Sequence, residues 1–227
     1  DELASAMADD IPGFDVRFKD EVLSQKLLAI LLRPVVPGYL TRFTTVFYPV
    51  VYFPARSYVE RWPGLAWKTL AHEYVHLLDA QPRPVRFSLA YLFPQCLALI
   101  ALGSIGMVLS PWAGLALLAL VALAPWPAPW RTETELRGYL MGVAIDVWRG
   151  RSAEVERRRV VETMTSRSYY WMCRNRNWLD KRLHEAVRRI AETGVPVEAD
   201  ARAFVRVREI LARHGVIDDD AANAPSS

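Results

Sequence analysis

Thr69-Leu70-Ala71-His72-Glu73-Tyr74-Val75-His76-Leu77-Leu78 carries the pattern H-E-x-x-H with uncharged residues on both flanks. On a helix, His72 and His76 stand one turn apart on one face. Two imidazoles at that spacing can grip one zinc ion. Glu73 follows the first histidine and can reach a metal's water without being a ligand. The same five residues also arise by chance on ordinary helices. Here the uncharged flanks argue for a buried helix, and two histidines on a buried face need a job. A catalytic zinc takes three protein ligands and keeps a fourth position open. The rest of the chain must therefore supply one more ligand.

The surrounding composition bounds what kind of protein this is. The chain has 227 residues, 52% of them apolar, with a formal charge of +3. That length allows one domain or two small ones. The charge is too small to imply a nucleic-acid partner, and none is expected. The apolar load is local, because no charged residue occurs from Phe87 to Trp130. Cys96 lies inside that run and Cys173 in a basic polar segment, so no disulfide framework is expected. The first twenty residues are acidic and polar and show no signal peptide.

Taken in order, residues 1–10 read as polar and loose. Val22 to Leu32 has apolar residues at helical spacing and is predicted to be a short helix. Thr41 to Phe53 is β-branched and aromatic and reads as strand, interrupted by Pro49. A proline there belongs on an edge or at a bulge. Such an edge before a zinc helix can hold a peptide as an added strand, although an ordinary hairpin would read the same way. Trp62-Pro63-Gly64 reads as a turn, with the motif helix beginning at Leu65 and ending near Pro82 and Pro84.

The charge-free run then predicts a helical hairpin that enters a membrane and returns. Leu89 to Leu109 is about long enough for one span of roughly 20 residues. Leu115 to Ala124 is about half that, so a re-entrant or tilted insertion fits better than two clean spans. A buried hairpin in a soluble core is the plainer reading. Arg83, Arg86, Arg131 and Arg137 flank the run on one side. The positive-inside tendency puts that side, and the metal site, in the cytoplasm.

Beyond the hairpin, Leu136, Tyr139, Leu140, Val143, Ala144 and Val147 make a helical stripe. Glu133 and Glu135 are expected in its first turn, where the helix dipole favours carboxylates. Either is also a candidate third zinc ligand. His184 and His214 do not fall in an H-E-x-x-H-x-x-G-x-x-H pattern, which leaves these carboxylates. From Arg149 to Arg189 there are twelve basic residues against five acids, with aromatics interleaved. That face suits anionic lipid or a solvated helical surface. Two more helices are expected at about 178–192 and 197–214, and the 218–227 tail is expected to be disordered.

At this point the chain resembles the gluzincin metallopeptidases, in which H-E-x-x-H is completed by a Glu from a second helix. The layout is most similar to the membrane-bound M48 branch (HtpX-like), where membrane segments fall between the two. The ligand Glu there often opens an E-x-x-A-D pattern. Glu135-Leu136-Arg137-Gly138-Tyr139 matches with Gly138 as the small residue and Tyr139 in place of Asp. Glu133 matches less well. The resemblance implies a zinc site of His72, His76 and Glu135, with Glu133 as the alternative and Glu73 as general base.

The fold so implied is mainly α with a small antiparallel β element (α+β), a zincin-like core with an inserted apolar hairpin. Its parts are residues 1–86, the hairpin 87–130, the helical half 131–217 and the tail. The activity implied is hydrolysis of a peptide (amide) bond in a protein or peptide substrate, through a zinc-activated water at a membrane. Candidates for the oxyanion donor are Tyr139, Tyr169, Tyr170, Arg167 and His184, and Asp79 is a candidate to orient a histidine. The competing readings are a non-catalytic membrane-inserting or virion scaffold component that keeps a zinc-binding helix, and a lipid- or nucleic-acid-binding module on the basic face.

Overall fold

The computed structural model describes residues 2–33, 36–108, 110–124, 126–166, 172–196 and 201–217. The architecture is mainly helical with one small sheet, and the elements around the motif helix explain most of it. That helix, α5 (Pro63–Ala80), starts two residues earlier than expected, with Pro63 in its first turn. Proline suits that position because its missing N–H would be unpaired there anyway. Pro84 and Pro129 do the same for the helices that they open.

Ahead of α5 come α1 (Glu2–Asp10), β1 (Asp15–Phe18), α2 (Leu23–Leu32), α3 (Tyr39–Arg42), β2 (Thr45–Phe47), β3 (Val50–Phe53) and α4 (Arg56–Arg61). Residues 2–10 are helical rather than loose. Leu3, Met7 and Ile11 recur at helical spacing and are fully buried, so the polar residues between them cover an apolar seam. That seam packs on α5. The Tyr74 hydroxyl adds a hydrogen bond to the Asp10 carboxylate.

The sheet has three strands in the order β1-β3-β2. It is mixed, not antiparallel as the sequence implied. β2 and β3 form an antiparallel hairpin with Thr45 opposite Tyr52, and Tyr48-Pro49 make the turn. β1 adds to β3 in parallel, with Asp15 beside Val50. Its short alternating run was not visible as a strand among charged neighbours. β3 is therefore central, and β2 is the edge strand of the expected segment. Helix α2 is inverted. It exposes Leu23, Leu27, Ile30 and Leu31 and buries Gln25, which accepts a hydrogen bond from Tyr39 at 2.6 Å.

After α5 the chain forms α6 (Pro84–Leu92), then two apolar arms, Gln95–Val108 and Pro111–Leu123, both 3-10 helices. The arms pack side by side through small residues. A Cβ on Gly103 or Gly106 would lie 3.5 Å from Ala116 or Ala113. The expected continuous helix from Leu89 to Leu109 is absent. It breaks at Phe93-Pro94, where proline has no N–H to carry the ladder forward. Among the described residues no single helix is long and apolar enough to cross a membrane. α6 and the first arm reach that length only as a pair bent by 89°.

The chain then returns through α7 (Pro129–Trp148), α8 (Ala153–Thr165), α9 (Arg176–Thr193) and α10 (Ala201–Arg213). α7 is the central helix, packed against α5, α6, α8, α9 and α10. One apolar core joins residues from before and after the hairpin, including Tyr74 and Leu77 of α5, Leu140 and Met141 of α7, and Phe204 of α10. The arms lie outside it, with Val108 91% and Leu118 68% exposed.

This division predicts a contrast in stability. Leu140→Ala removes a side chain that is 1% exposed and is expected to destabilise by about 2–5 kcal/mol in equilibrium denaturation. Leu118→Ala on the second arm is expected to cost less than about 0.5 kcal/mol in the same measurement.

Candidate metal centre

The local sequence explains why the two histidines meet. α5 buries Ala71, Tyr74, Val75, Leu77 and Leu78 on its core side. That orientation turns His72 and His76 toward α7. Their rings stand edge to face with centroids 4.6 Å apart, and the two Nε2 atoms are 2.9 Å apart. Two nitrogens at about 2.0–2.1 Å from one tetrahedral zinc would be about 3.3 Å apart. The pair is thus close to a ligand arrangement, with one ring nitrogen bonding the other. The ligand atoms of His72, Glu73 and His76 all lie within 4.8 Å of one another.

α7 brings the third group. Glu135 Oε2 lies 3.6 Å from His72 Nε2. Glu135 is 6% exposed, so its carboxylate needs partners to be buried at all. The other oxygen, Oε1, accepts a hydrogen bond from the Tyr91 hydroxyl of α6. Glu133 points elsewhere and pairs with Arg182 of α9 at 3.6 Å. Neither glutamate is in the first turn, because α7 begins at Pro129. The dipole explanation for these carboxylates therefore fails, and the two are separated by the face that each occupies.

Gly138 lets the helices approach. A Cβ there would stand 2.6 Å from His72 Cε1 and Nε2, and 2.8 Å from His76 Cε1. No side chain fits without moving both rings. Tyr139 packs its ring on His72 with centroids 5.0 Å apart, which makes it the donor candidate that the fold brings to the pair. His184 is exposed on α9, and nothing among the described residues links it to the histidines. Asp79, the candidate to orient a histidine, accepts a hydrogen bond from Arg137 Nε at 2.8 Å and so ties α5 to α7. Tyr169, Tyr170 and Arg167 lie outside the described residues, as does the 218–227 tail.

The electrostatics follow from burial. Burial and the neighbouring His72 hold His76 down at about 3, so its ring is neutral near pH 7, the form that binds a metal. Its Nδ1 is buried without a hydrogen-bond partner among the described residues. Burial works against the charged form of His72, but Glu135 and Glu73 outweigh it and raise the pKa. Burial pushes Glu73 up to about 7. Burial would also push Glu135 up, yet the hydrogen bond with His72, the charge of His76 and the Tyr91 hydroxyl bring it down to about 2.

Two groups at the site were not found from the sequence. Tyr91 had one signal: Tyr91 and Gln95 are polar-tipped, one helical turn apart, in a run otherwise almost wholly apolar. Lys19 had none, standing between Phe18 and the acids Asp20 and Glu21. It is fully buried and donates to the carbonyls of Tyr39 at 2.9 Å and Phe43 at 2.8 Å. Burial lowers its pKa to about 8, and the nearby Glu73 charge pulls it back up.

His72, Glu73 and His76 could together hold a metal ion; they offer two imidazole nitrogens and one carboxylate, and the Glu135 carboxylate lies beside His72. On the basic face, Arg157 and Arg158 pair with Glu154, Arg157 also reaches Asp180, and Arg159 reaches Glu156. Three arginines of that face are thus answered by carboxylates of α8 and α9. The chain matches no protein-family model, no curated protein and no solved structure.

Two outcomes test this geometry. Gly138→Ala should weaken zinc binding by at least about tenfold in chelator competition, the scale set by displaced ligands and their supports. The metal-free protein should also lose stability steeply below about pH 4.5. There the unfolded chain binds protons at His76 and Glu135, while the folded chain resists until about 3 and about 2. Each such proton contributes about 1.4 kcal/mol per pH unit. Between about 4.5 and 6.5 Glu73 offsets His76, because it keeps its proton in the folded state up to about 7. Glu135→Gln should remove about half of the steep acid limb in urea titrations run as a pH series.

Proposed function

We propose that this chain is a zinc metallopeptidase acting at a membrane surface, a divergent relative of the gluzincins with a zincin-like core. The observation that carries the reading is the arrival of Glu135 beside His72 from the far side of the apolar insertion, 3.6 Å from Nε2. A chance H-E-x-x-H would have no reason to meet a buried carboxylate. Nor would it need a glycine beneath both rings.

In this reading His72, His76 and Glu135 hold the metal, and Glu73 stays free for chemistry. The metal would supply a Lewis acid and make a water more acidic near neutral pH. Glu73 accepts a proton from the attacking water, whose oxygen adds to the peptide carbonyl carbon. The same carboxyl returns the proton to the amine nitrogen as the C–N bond breaks. Its pKa of about 7 without metal suits proton transfer near neutrality, and a cation between the histidines would lower it. Tyr139, whose ring packs on His72, is the proposed donor to the oxygen that gains charge.

The surface supports the location. The arms expose Leu99, Ile105, Val108, Trp112 and Leu118 without a charge among them, and exposed apolar side chains gathered on one insertion suit a membrane surface. α2 adds its exposed leucines. The bend between α6 and the first arm fits a re-entrant insertion. Arg83, Arg86 and Arg131 at its base suit anionic headgroups and a cytoplasmic site. The substrate is a protein or peptide near that surface.

Glu73→Gln tests the mechanism. Purified protein is expected to hold about one zinc per chain by metal analysis, and the variant to hold the same. Peptide hydrolysis should fall by about 10²–10⁴-fold in the variant. Unchanged cleavage would remove Glu73 from the chemistry.

A further inference from the structure

We infer that Tyr91 is a positioning residue for the third ligand, and that α6 is therefore a working part of the metal centre rather than only the stem of the insertion. The inference rests on the metal reading above and adds to it a named residue outside the motif.

Three contacts clamp Tyr91 onto α7. Its hydroxyl donates to Glu135 Oε1. Its backbone carbonyl accepts from Arg131 Nε at 3.0 Å. Its ring carries the Arg131 guanidinium, whose carbon is 5.0 Å from the centroid. Arg131 and Glu135 are four residues apart, on one face of α7. The tyrosine is thus held at both ends by residues one turn apart. Arg131 also reaches Gln95 Oε1 at 3.2 Å, just past the bend into the first arm.

The chemistry of Glu135 makes this matter. A carboxylate with one oxygen 3.6 Å from His72 Nε2 can still rotate about its last bond. The Tyr91 hydroxyl holds the opposite oxygen and leaves Oε2 facing His72. Ligand carboxylates are commonly fixed in this way, and loss of such a partner weakens metal binding by about 10–100-fold. Since Tyr91 belongs to α6, any shift of that helix as the arms enter lipid moves the hydroxyl and so the ligand.

The test uses the full chain in detergent with zinc and with Co(II), whose visible absorption reports ligand geometry. Tyr91→Phe keeps the ring and removes the hydroxyl. It is expected to weaken zinc binding about 10–100-fold by chelator competition and to shift the Co(II) bands, with the metal-free protein still folded by circular dichroism. His72→Ala is the parallel control and should abolish tight binding. If His72→Ala binds zinc like the parent, the metal reading itself falls. If His72→Ala loses zinc while Tyr91→Phe keeps parental affinity and spectrum, the positioning role is overturned and the metal reading stands. Should Tyr91→Phe not fold, Arg131→Gln decides. It loosens the clamp and should weaken binding several-fold with the same band shift, and parental values would overturn the inference.

Discussion

Helices α5 and α7 meet at a glycine, and the site depends on that approach. With Gly138 under the imidazoles there is no room for a Cβ. The helices come close enough for His72 and Glu135 to face each other. Around this contact the sequence places compatible pieces. Gly142, one turn further along α7, lets Lys68 of α5 lie close, where its ammonium meets Asp146 at 3.1 Å and Glu156 at 3.2 Å. Arg137 and Asp79 make a further tie. The same helix pair is thus joined by ions at several levels along its length, with the histidines among them.

Packing so many titratable groups together is unfavourable unless each is answered. The answers here differ in kind. His76 stays neutral. Glu135 is matched by His72 and by a hydroxyl from α6. Glu73 is raised toward neutrality and lies within the field of Lys19, itself held by two carbonyls. A site that is costly without a cation gains more from binding one, because the cation answers the carboxylates that burial penalises.

The sequence showed this pattern unevenly. The motif helix and the later Glu helix were legible because helical spacing turns sequence distance into a shared face, and the small residue at Gly138 through the resemblance. That Glu135 rather than Glu133 lies beside His72 was suggested only through resemblance, since both looked like first-turn carboxylates until Pro129 opened the helix earlier. Helix α1 was hidden because three buried residues, Leu3, Met7 and Ile11, are diluted by polar ones. The parallel β1–β3 pairing was hidden because strand pairing is non-local and β1 is only four residues long. The break at Pro94 was legible in principle, but the length of the apolar run outweighed a single proline. Lys19 was out of reach, since its partners are backbone carbonyls from another segment.

Two surfaces of opposite character meet in this chain. The arms expose apolar side chains, while the His72–Glu135 cluster gathers polar and titratable groups. Separate domains would hold them apart, yet here the arms interrupt the chain between His76 and Glu135. The two meet at α6, a helix of nine residues with two faces. Leu89 and Leu92 are exposed, continuing the apolar surface of the arms, and Tyr91 turns inward to the carboxylate. The 89° bend that follows then directs the apolar chain away from the site. A straight helix from Leu89 to Leu109 would have carried the inward face of α6 along with the arm. The break at Pro94 therefore separates the two environments within a few residues, and lets an exposed apolar hairpin sit directly against a buried polar cluster.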